Sequence, residues 1–259
     1  MRRLVPSGLA LLLGLLTTNC DDVFRTMLVT AQVVRTLGVP SNTASVLAGD
    51  LTLENIFTED WLENPEPGDT SLWSMPLPAR VTPVEGADVT LNGVQLGQKL
   101  PGIYGRAALD LDYLTRYDLA MTTADGRTVS AHGFLPDSFA IVTPGQGAVR
   151  HPDSVLVTWT HSDSCETFLV GVQPADSGST AQGWADSFTD TTCTVPRAAF
   201  SDSLGQLQPG GYVLSVMAVN GGWNKSGLDL LLQGGNLDGA LGTFGCAVLP
   251  LPVALVITE

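Results

Sequence analysis

The chain has 259 residues, of which 12 are lysine or arginine and 26 are aspartate or glutamate, so its formal net charge is −14. A surface this negative repels phosphate backbones and anionic headgroups, which argues against nucleic acid as a partner and against electrostatic binding to membranes. Hydrophobic residues make up 44% of the chain and charged ones only 15%. Short alternating runs of Thr, Val and Leu between turn residues predict an all-β fold, long enough for two sandwiches of roughly 100 residues each.

The N-terminus has the pattern of an export signal, predicted over residues 1–19. Two arginines precede an apolar run, residues 9–16, that is too short to span a bilayer. Cys20 follows, and this site resembles the lipidation site of bacterial lipoproteins, in which the cysteine becomes the first mature residue and carries the acyl groups. Asn19 stands where such signals usually have Gly, Ala or Ser. The alternative is an uncleaved anchor in which Cys20 is an ordinary thiol.

The residues after the cysteine bear on localisation. Asp21 and Asp22 are similar to the acidic tract that sends some surface lipoproteins of Bacteroidetes type to the cell surface, whereas elsewhere an aspartate here means inner-membrane retention. The resemblance implies a lipid-anchored protein of the cell envelope, in the outer membrane or at the surface rather than in the inner membrane. The membrane would then be contacted through the N-terminal lipid.

Residues 20–43 are predicted to be a tether that includes one short helix. Phe24, Met27, Leu28, Ala31, Val34 and Leu37 have helical spacing, and Gly38 and Pro40 are stop signals. An extended strand is nearly as well supported, because several residues of this segment are β-branched.

Residues 44–139 are predicted to form a first β-sandwich, built on two hairpins. Asn92-Gly93 and Asp125-Gly126 provide tight turns between alternating runs. The strings "VEGADVTLNG" and "GIYGRAALDLDYLTRYDLAMTTADGRTVSAHGFLPD" resemble the prealbumin-like or carboxypeptidase-regulatory-like sandwich of bacterial surface lipoproteins. That resemblance implies a fold more than a function.

Residues 140–235 are predicted to form a second sandwich. The run "LQPGGYVLSVMAVNGG" has a Pro-Gly turn, then Tyr212 and apolar residues at period two, and it resembles the late-strand signature of fibronectin type III domains. The resemblance implies a tyrosine corner at Tyr212, whose hydroxyl would bond to upstream backbone, and a core position for Trp159.

The segment 236–259 is expected to return to the first sandwich and complete it. Its glycine-rich first part argues against a place in a sandwich core, whereas Val253, Leu255 and Ile257 have strand spacing.

Four cysteines are present, and an oxidising compartment favours one disulfide. With Cys20 assigned to lipid, we expect a bond between Cys165 and Cys193, which fall in the same predicted domain. Cys246 would then be a buried, unpaired thiol.

The sequence contains no catalytic motif, and we predict a protein that is not an enzyme and uses no metal or other cofactor. Its histidines, His132, His151 and His161, fall in separate predicted elements, and its acidic loops lack the spacing of a calcium loop. Asp110 and Asp112 would face the same side of a strand, which suits a solvated strand end better than a catalytic pair.

The best candidate for partner binding is the loop that contains Asn220, Trp223 and Asn224. A tryptophan beside two glycines can be presented flat to a sugar ring or a peptide. The alternative, which we favour, is that Trp223 packs between the two domains.

Together these features predict a non-catalytic, membrane-anchored exported lipoprotein that binds or supports a protein or glycan partner at the cell envelope. The alternative is a carbohydrate-active enzyme or hydrolase accessory module that uses Asp110, Asp112 and the acidic loop after Asp60. That activity requires two carboxyl groups about 5 to 9.5 Å apart in a concave cleft.

Overall fold

The computed structural model describes residues 26–38, 42–51, 82–150, 154–222 and 236–258. These residues form nineteen β-strands and one short 3₁₀ helix, so the predicted all-β fold is confirmed. In these ranges no helix is long and apolar enough to cross a membrane. The export signal, Cys20 and the acidic loop after Asp60 lie outside the described residues.

The first nine strands belong to the N-terminal half. They are β1 (Thr26–Thr36), β2 (Thr43–Leu51), β3 (Thr82–Pro83), β4 (Asp88–Leu91), β5 (Val94–Gln95), β6 (Gly97–Leu100), β7 (Ile103–Ala107), β8 (Arg116–Thr122) and β9 (Thr128–Phe134). The two predicted turns are present: Asn92 and Gly93 both have positive φ between β4 and β5, and Gly126 has positive φ between β8 and β9. Positive φ at both central residues suits a tight hairpin.

The next seven strands and the helix η1 form the second half. They are β10 (Ile141–Thr143), β11 (Ala148–Arg150), β12 (Ser154–Trp159), β13 (Thr167–Pro174), β14 (Trp184–Phe188), β15 (Thr192–Pro196), η1 (Arg197–Phe200) and β16 (Gly210–Gly221). The chain alternates between two sheets, with β10, β12 and β15 in one and β13, β14 and β16 in the other. This alternation is the arrangement of immunoglobulin-like and fibronectin type III-like sandwiches.

The last three strands are β17 (Leu237–Asp238), β18 (Leu241–Leu249) and β19 (Val253–Ile257). They pair with both halves of the chain. β17 pairs with β9, and β18 runs parallel to β1 and antiparallel to the end of β16. β19 pairs with β16 and β11. The C-terminal segment therefore joins the two halves instead of completing the first one alone.

The helix predicted after residue 20 is wrong, because residues 26–36 form β1. This strand pairs with β2 on one side and with β18 on the other, so it is part of the sheet and not of a tether. Val29, Ala31 and Val33 face the core, and Val34 is buried on the opposite face. The other residues on that face, Leu28, Thr30 and Gln32, are half-buried, so β1 keeps a period-two alternation over residues 27–33.

The glycine-rich β18 lies in the core, contrary to the sequence-based expectation. Eight of its nine residues are buried. Gly242 has φ +131°, and a Cβ at this position would overlap the carbonyl oxygen of Val29. Glycine is therefore required for β18 to lie this close to β1.

A hydrophobic core fills each half between its two sheets. In the second half, Trp159 packs against Phe168 with ring centroids 5.3 Å apart, and Phe200 meets Tyr212 edge to face at 5.1 Å. Trp159 is buried, as the fibronectin-type resemblance implies, and its indole N–H has no hydrogen-bond partner among the described residues.

Candidate functional site

A surface groove of about 720 Å³ lies where the two halves meet. We call it the junction groove, and the side chains that matter for its chemistry are His132 and Phe134 of β9, Cys165 and Glu166 before β13, Asn220 at the end of β16, and Asn236 before β17. The groove forms here because β16 continues past β13 and reaches β18, which brings the second half against β9.

Asn220 holds the walls of this groove together. Its Nδ2 donates to the carbonyl oxygens of Phe134 at 2.9 Å and Ser164 at 2.5 Å. Its Oδ1 accepts from the backbone N–H of Glu166 at 2.8 Å. The side chain is buried, and both amide hydrogens are used within the chain. Asn220, predicted to contact a partner, thus has a structural role in this arrangement.

Asn236 makes a similar contact from the other side of the groove. Its side chain donates to the carbonyl of Phe244 and accepts from the N–H of the same residue, each at 2.7 Å. These two bonds have the pattern of a hydrogen-bonded residue pair in a β-sheet. The side chain of Asn236 therefore takes the place of a strand residue beside β18. The remaining members of the predicted binding loop, Trp223 and Asn224, lie outside the described residues, so their role stays a prediction.

Glu166 and Phe134 give the groove its chemical character. The Oε2 of Glu166 accepts the backbone N–H of Gly221 at 3.1 Å, which holds the carboxylate against one wall. The ring of Phe134 is 48% exposed, a large fraction for an aromatic side chain. The groove thus offers one negative charge beside one apolar surface.

The predicted disulfide between Cys165 and Cys193 is not formed: both are free thiols, as is Cys246. Cys165 precedes β13, and its thiol donates to the carbonyl of Thr167 at 3.0 Å. Cys193 lies in β15, in the facing sheet, opposite Val157 of β12. The two cysteines lie in one half of the chain, as predicted, and both contact its hydrophobic core without being bonded to each other.

Burial also suppresses the reactivity of these thiols. Desolvation raises the pKa of Cys193 to about 11 and that of Cys246 to about 12, and it raises the pKa of Cys165 as well. A raised pKa means that little thiolate, the reactive form, is present near neutral pH. The three thiols therefore behave as apolar side chains.

Tyr212 has the geometry of a tyrosine corner. Its ring is buried, and its hydroxyl donates to the carbonyl of Gln208, four residues upstream, at 2.6 Å. A second tyrosine does the same work in the first half: the hydroxyl of Tyr104 donates to the carbonyl of Val84 at 2.8 Å and accepts from the N–H of Ala87 at 3.0 Å. Each hydroxyl fixes an irregular segment to a strand of its sandwich.

One ion pair links the two sheets of the first half. Arg127, in the turn between β8 and β9, contacts Asp50 of β2 through two nitrogens, at 2.5 and 3.2 Å. Asp50 is 2% exposed. Asp125 shares the same guanidinium, and its bonds to Arg127 and Thr123 lower its pKa to about 2.

The carboxylates proposed for the alternative, enzymatic interpretation are not gathered in a cleft. Asp110 and Asp112 are both exposed in the extended segment between β7 and β8, while Leu109 before them and Leu111 between them are buried. His132 is exposed on β9, and His161 is exposed beside Asp163 at 3.3 Å. Within the described ranges, no group of three or more His, Cys, Asp or Glu side chains could hold a metal ion. His151 lies outside those ranges.

The described residues fold as an all-β protein with sandwich sheets of the immunoglobulin-like and fibronectin type III-like kind. No family model matches the sequence, and no curated protein matches it either.

A comparison with solved structures found matches over most of this chain, each with a low TM-score. The fibronectin(III)-like modules of CbhA from Clostridium thermocellum are 10% identical, over 89% of this chain and 92% of theirs, with a TM-score of 0.23. Domains FN1–FN3 of chicken CNTN1 are 11% identical, over 91% and 67%, with a TM-score of 0.26. The IG1+IG2 pair of DIP-gamma is 6% identical, over 91% and 98%, with a TM-score of 0.22.

Proposed function

We propose that this chain is an exported, lipid-anchored, non-catalytic protein that binds or supports a protein or glycan partner at the cell envelope. The observation that carries the proposal is the joining of the two sandwiches through β16 and β18. A sheet that continues from one half into the other resists hinge motion, because bending it would break backbone hydrogen bonds of the central strands. Such a body is suited to presenting a fixed surface.

The state of the ionisable groups supports a non-catalytic role. Catalytic acids and bases need burial or close charged neighbours to tune them. In the part of the chain that the structure describes, the buried carboxylate Asp50 is paired with Arg127 and links two sheets. The exposed carboxylates Asp110 and Asp112 have no such environment.

The anchor is proposed on the sequence of the N-terminus. Cationic residues, a short apolar run and Cys20 have the order of a lipoprotein signal, and the acidic pair after Cys20 favours the outer membrane or the cell surface. We also propose that the chain is organised as two units, residues 44–139 with β1 and residues 140–235, and that the strands within 236–259 join them.

Metabolic labelling with an alkyne fatty acid, followed by mass spectrometry of the mature N-terminus, tests the anchor. We expect an acylated Cys20 as first residue and loss of both label and membrane association in Cys20→Ser. Cys165→Ser is the matched control and should keep both. An unlabelled protein with an intact Met1 would contradict the proposal. Protease treatment of whole cells then distinguishes the cell surface from the periplasmic leaflet.

A further inference from the structure

We propose that Asn92 is a site of spontaneous modification, at which the side-chain amide is lost and the residue becomes aspartate or isoaspartate. This inference goes beyond the proposed function and does not depend on it. It rests on a contrast between the two Asn-Gly pairs of the chain, Asn92-Gly93 and Asn220-Gly221. The fold leaves the reacting atoms of the first pair accessible and engages those of the second.

The reaction is an attack of the backbone on the side chain. The backbone nitrogen of the glycine loses its proton and bonds to Cγ of the asparagine, and Nδ2 takes up a proton and leaves as ammonia. Water then opens the resulting succinimide ring at either carbonyl, which gives aspartate or isoaspartate. A following glycine favours the attack because it has no Cβ beside the nitrogen. Both reacting atoms belong to one chain, so the only co-reactant is water.

The first pair lies in the two-residue turn between β4 and β5. Asn92 has φ +47° and Gly93 has φ +76°, and both residues are exposed. A Cβ built on Gly93 would have no heavy atom of a non-neighbouring residue within 4 Å. The N–H of Gly93 has no hydrogen-bond partner among the described residues. The attacking nitrogen is therefore free and open to solvent.

The side chain of Asn92 is held only by exposed hydrogen bonds. Its Oδ1 accepts from the N–H of Asp118 at 2.7 Å, and its Nδ2 donates to the carbonyl of Arg116 at 3.3 Å. Water can replace both bonds, so they slow the attack without preventing it. The N–H of Asp118 also stabilises negative charge on Oδ1, the atom that becomes negative when the nitrogen adds to Cγ.

The same atoms of the second pair are engaged within the chain. Asn220 is buried, and its amide is bonded to Glu166, Phe134 and Ser164. The N–H of Gly221 donates to the Oε2 of Glu166 at 3.1 Å. Neither the nitrogen nor the amide is available in the folded protein, so reaction at Asn220 requires local unfolding.

The two products at Asn92 have different effects on the turn. Aspartate tolerates positive φ as asparagine does, so it keeps the turn and adds one negative charge. Isoaspartate routes the main chain through Cβ and Cγ, which adds one carbon atom to the backbone between Leu91 and Val94. These residues are paired across the turn, and their register would be lost. We expect the isoaspartate form to open the pairing of β5 with β4.

The test incubates the purified full chain in detergent at mildly alkaline pH in heavy-oxygen water, followed by peptide mapping with mass spectrometry. Incorporated heavy oxygen identifies conversion during the incubation, and an isoaspartate-specific methyltransferase separates the two products. We expect conversion at Asn92 at least about tenfold faster than at Asn220, because three buried hydrogen bonds protect Asn220. In urea the two sites should convert at similar rates, since the protection belongs to the fold.

Asn92→Asp is the matched variant. It lacks the amide, so it should incorporate no heavy oxygen by this reaction at residue 92 while it stays folded and keeps Asn220 protected. Equal rates at Asn92 and Asn220 in the folded protein would overturn the proposal. An Asn92 amide that persists in the folded chain and is lost only in urea would do the same. Because the assay reads only these amides, its outcome is independent of the Cys20 labelling experiment.

Discussion

The Nδ2 of Asn220 donates to the carbonyl oxygen of Phe134, 86 residues earlier in the chain, at 2.9 Å. This bond joins the end of β16 in one sandwich to the end of β9 in the other. The amide is buried, so water does not compete for its hydrogen bonds. These bonds hold the walls of the junction groove in place relative to each other.

Asn220→Ala is expected to destabilise the protein by about 1 to 3 kcal/mol, because it leaves the carbonyls of Phe134 and Ser164 without their donor and the N–H of Glu166 without its acceptor. Urea unfolding followed by tryptophan fluorescence measures this free energy. Gln95→Ala, at an exposed side chain in β5, is the control and should change it by less than about 0.5 kcal/mol. A similar midpoint for the two variants would show that the contact is dispensable.

Tyr212→Phe is expected to lower the free energy of unfolding by about 1 to 2 kcal/mol, since the ring stays in place and only the hydroxyl bond to Gln208 is lost. Tyr104→Phe should have an effect of similar size. Tyr113→Phe is the matched control: the ring of Tyr113 lies under Arg35 at 3.7 Å, a contact that does not involve the hydroxyl. Thermal unfolding compares the three variants, and an equal loss in Tyr113→Phe would contradict the tyrosine-corner role.

Arg127→Gln is expected to cost about 3 kcal/mol, because the buried carboxylate of Asp50 loses its guanidinium partner. The double variant Asp50→Asn with Arg127→Gln should be more stable than Arg127→Gln alone, since it removes the buried charge as well. A double-mutant cycle in urea measures the coupling. If the losses of free energy of unfolding in the single variants Arg127→Gln and Asp50→Asn add up to the loss in the double variant, the pair does not link the sheets.

Cys193 and Cys246 are expected to resist alkylation by iodoacetamide at pH 8 in the folded protein. Their pKa values, raised by burial to about 11 and about 12, leave almost no thiolate at this pH. Unfolding in the presence of the reagent, without a reductant, should label Cys165, Cys193 and Cys246 together, as peptide mapping by mass spectrometry can show. Recovery of a peptide pair linked through Cys165 and Cys193 would contradict the free thiols of the structure.

Gly133→Ala is expected to destabilise the protein by about 1 to 3 kcal/mol, because the new methyl group would meet the Sγ of Cys246 at 2.9 Å. Replacing Cys246 by alanine in the same chain should recover part of this loss, since it removes the sulfur atom. Calorimetric melting of the single and double variants measures the recovery. No recovery would mean that the Phe244 ring, and not the thiol, limits the space.

The sequence predicted the strands whose two faces differ. In β8 and β9 a buried side chain follows each exposed one through most of the strand, so period-two alternation and the Asp125-Gly126 turn located them. Tyr212 was recognisable for the same reason, because the turn before it and the alternation after it are local signals.

β18 and Asn220 could not be interpreted in this way. β18 is buried on both faces, which erases the alternation, and its Gly242 is explained only by the closeness of β1. The partners of Asn220 are more than 50 residues away, so its side chain looked available for a ligand. The junction groove is made by such distant contacts, and no local pattern signals it.

The parallel pairing of β1 with β18 imposes an order on biosynthesis. A ribosome makes β1 near the beginning and β18 near the end of the printed sequence, so the neighbour that β1 needs does not exist while most of the chain is emerging. Until then the apolar edge of β1 is open to any extended chain, including another nascent copy. The topology therefore delays completion of the central sheet until β18 has been made.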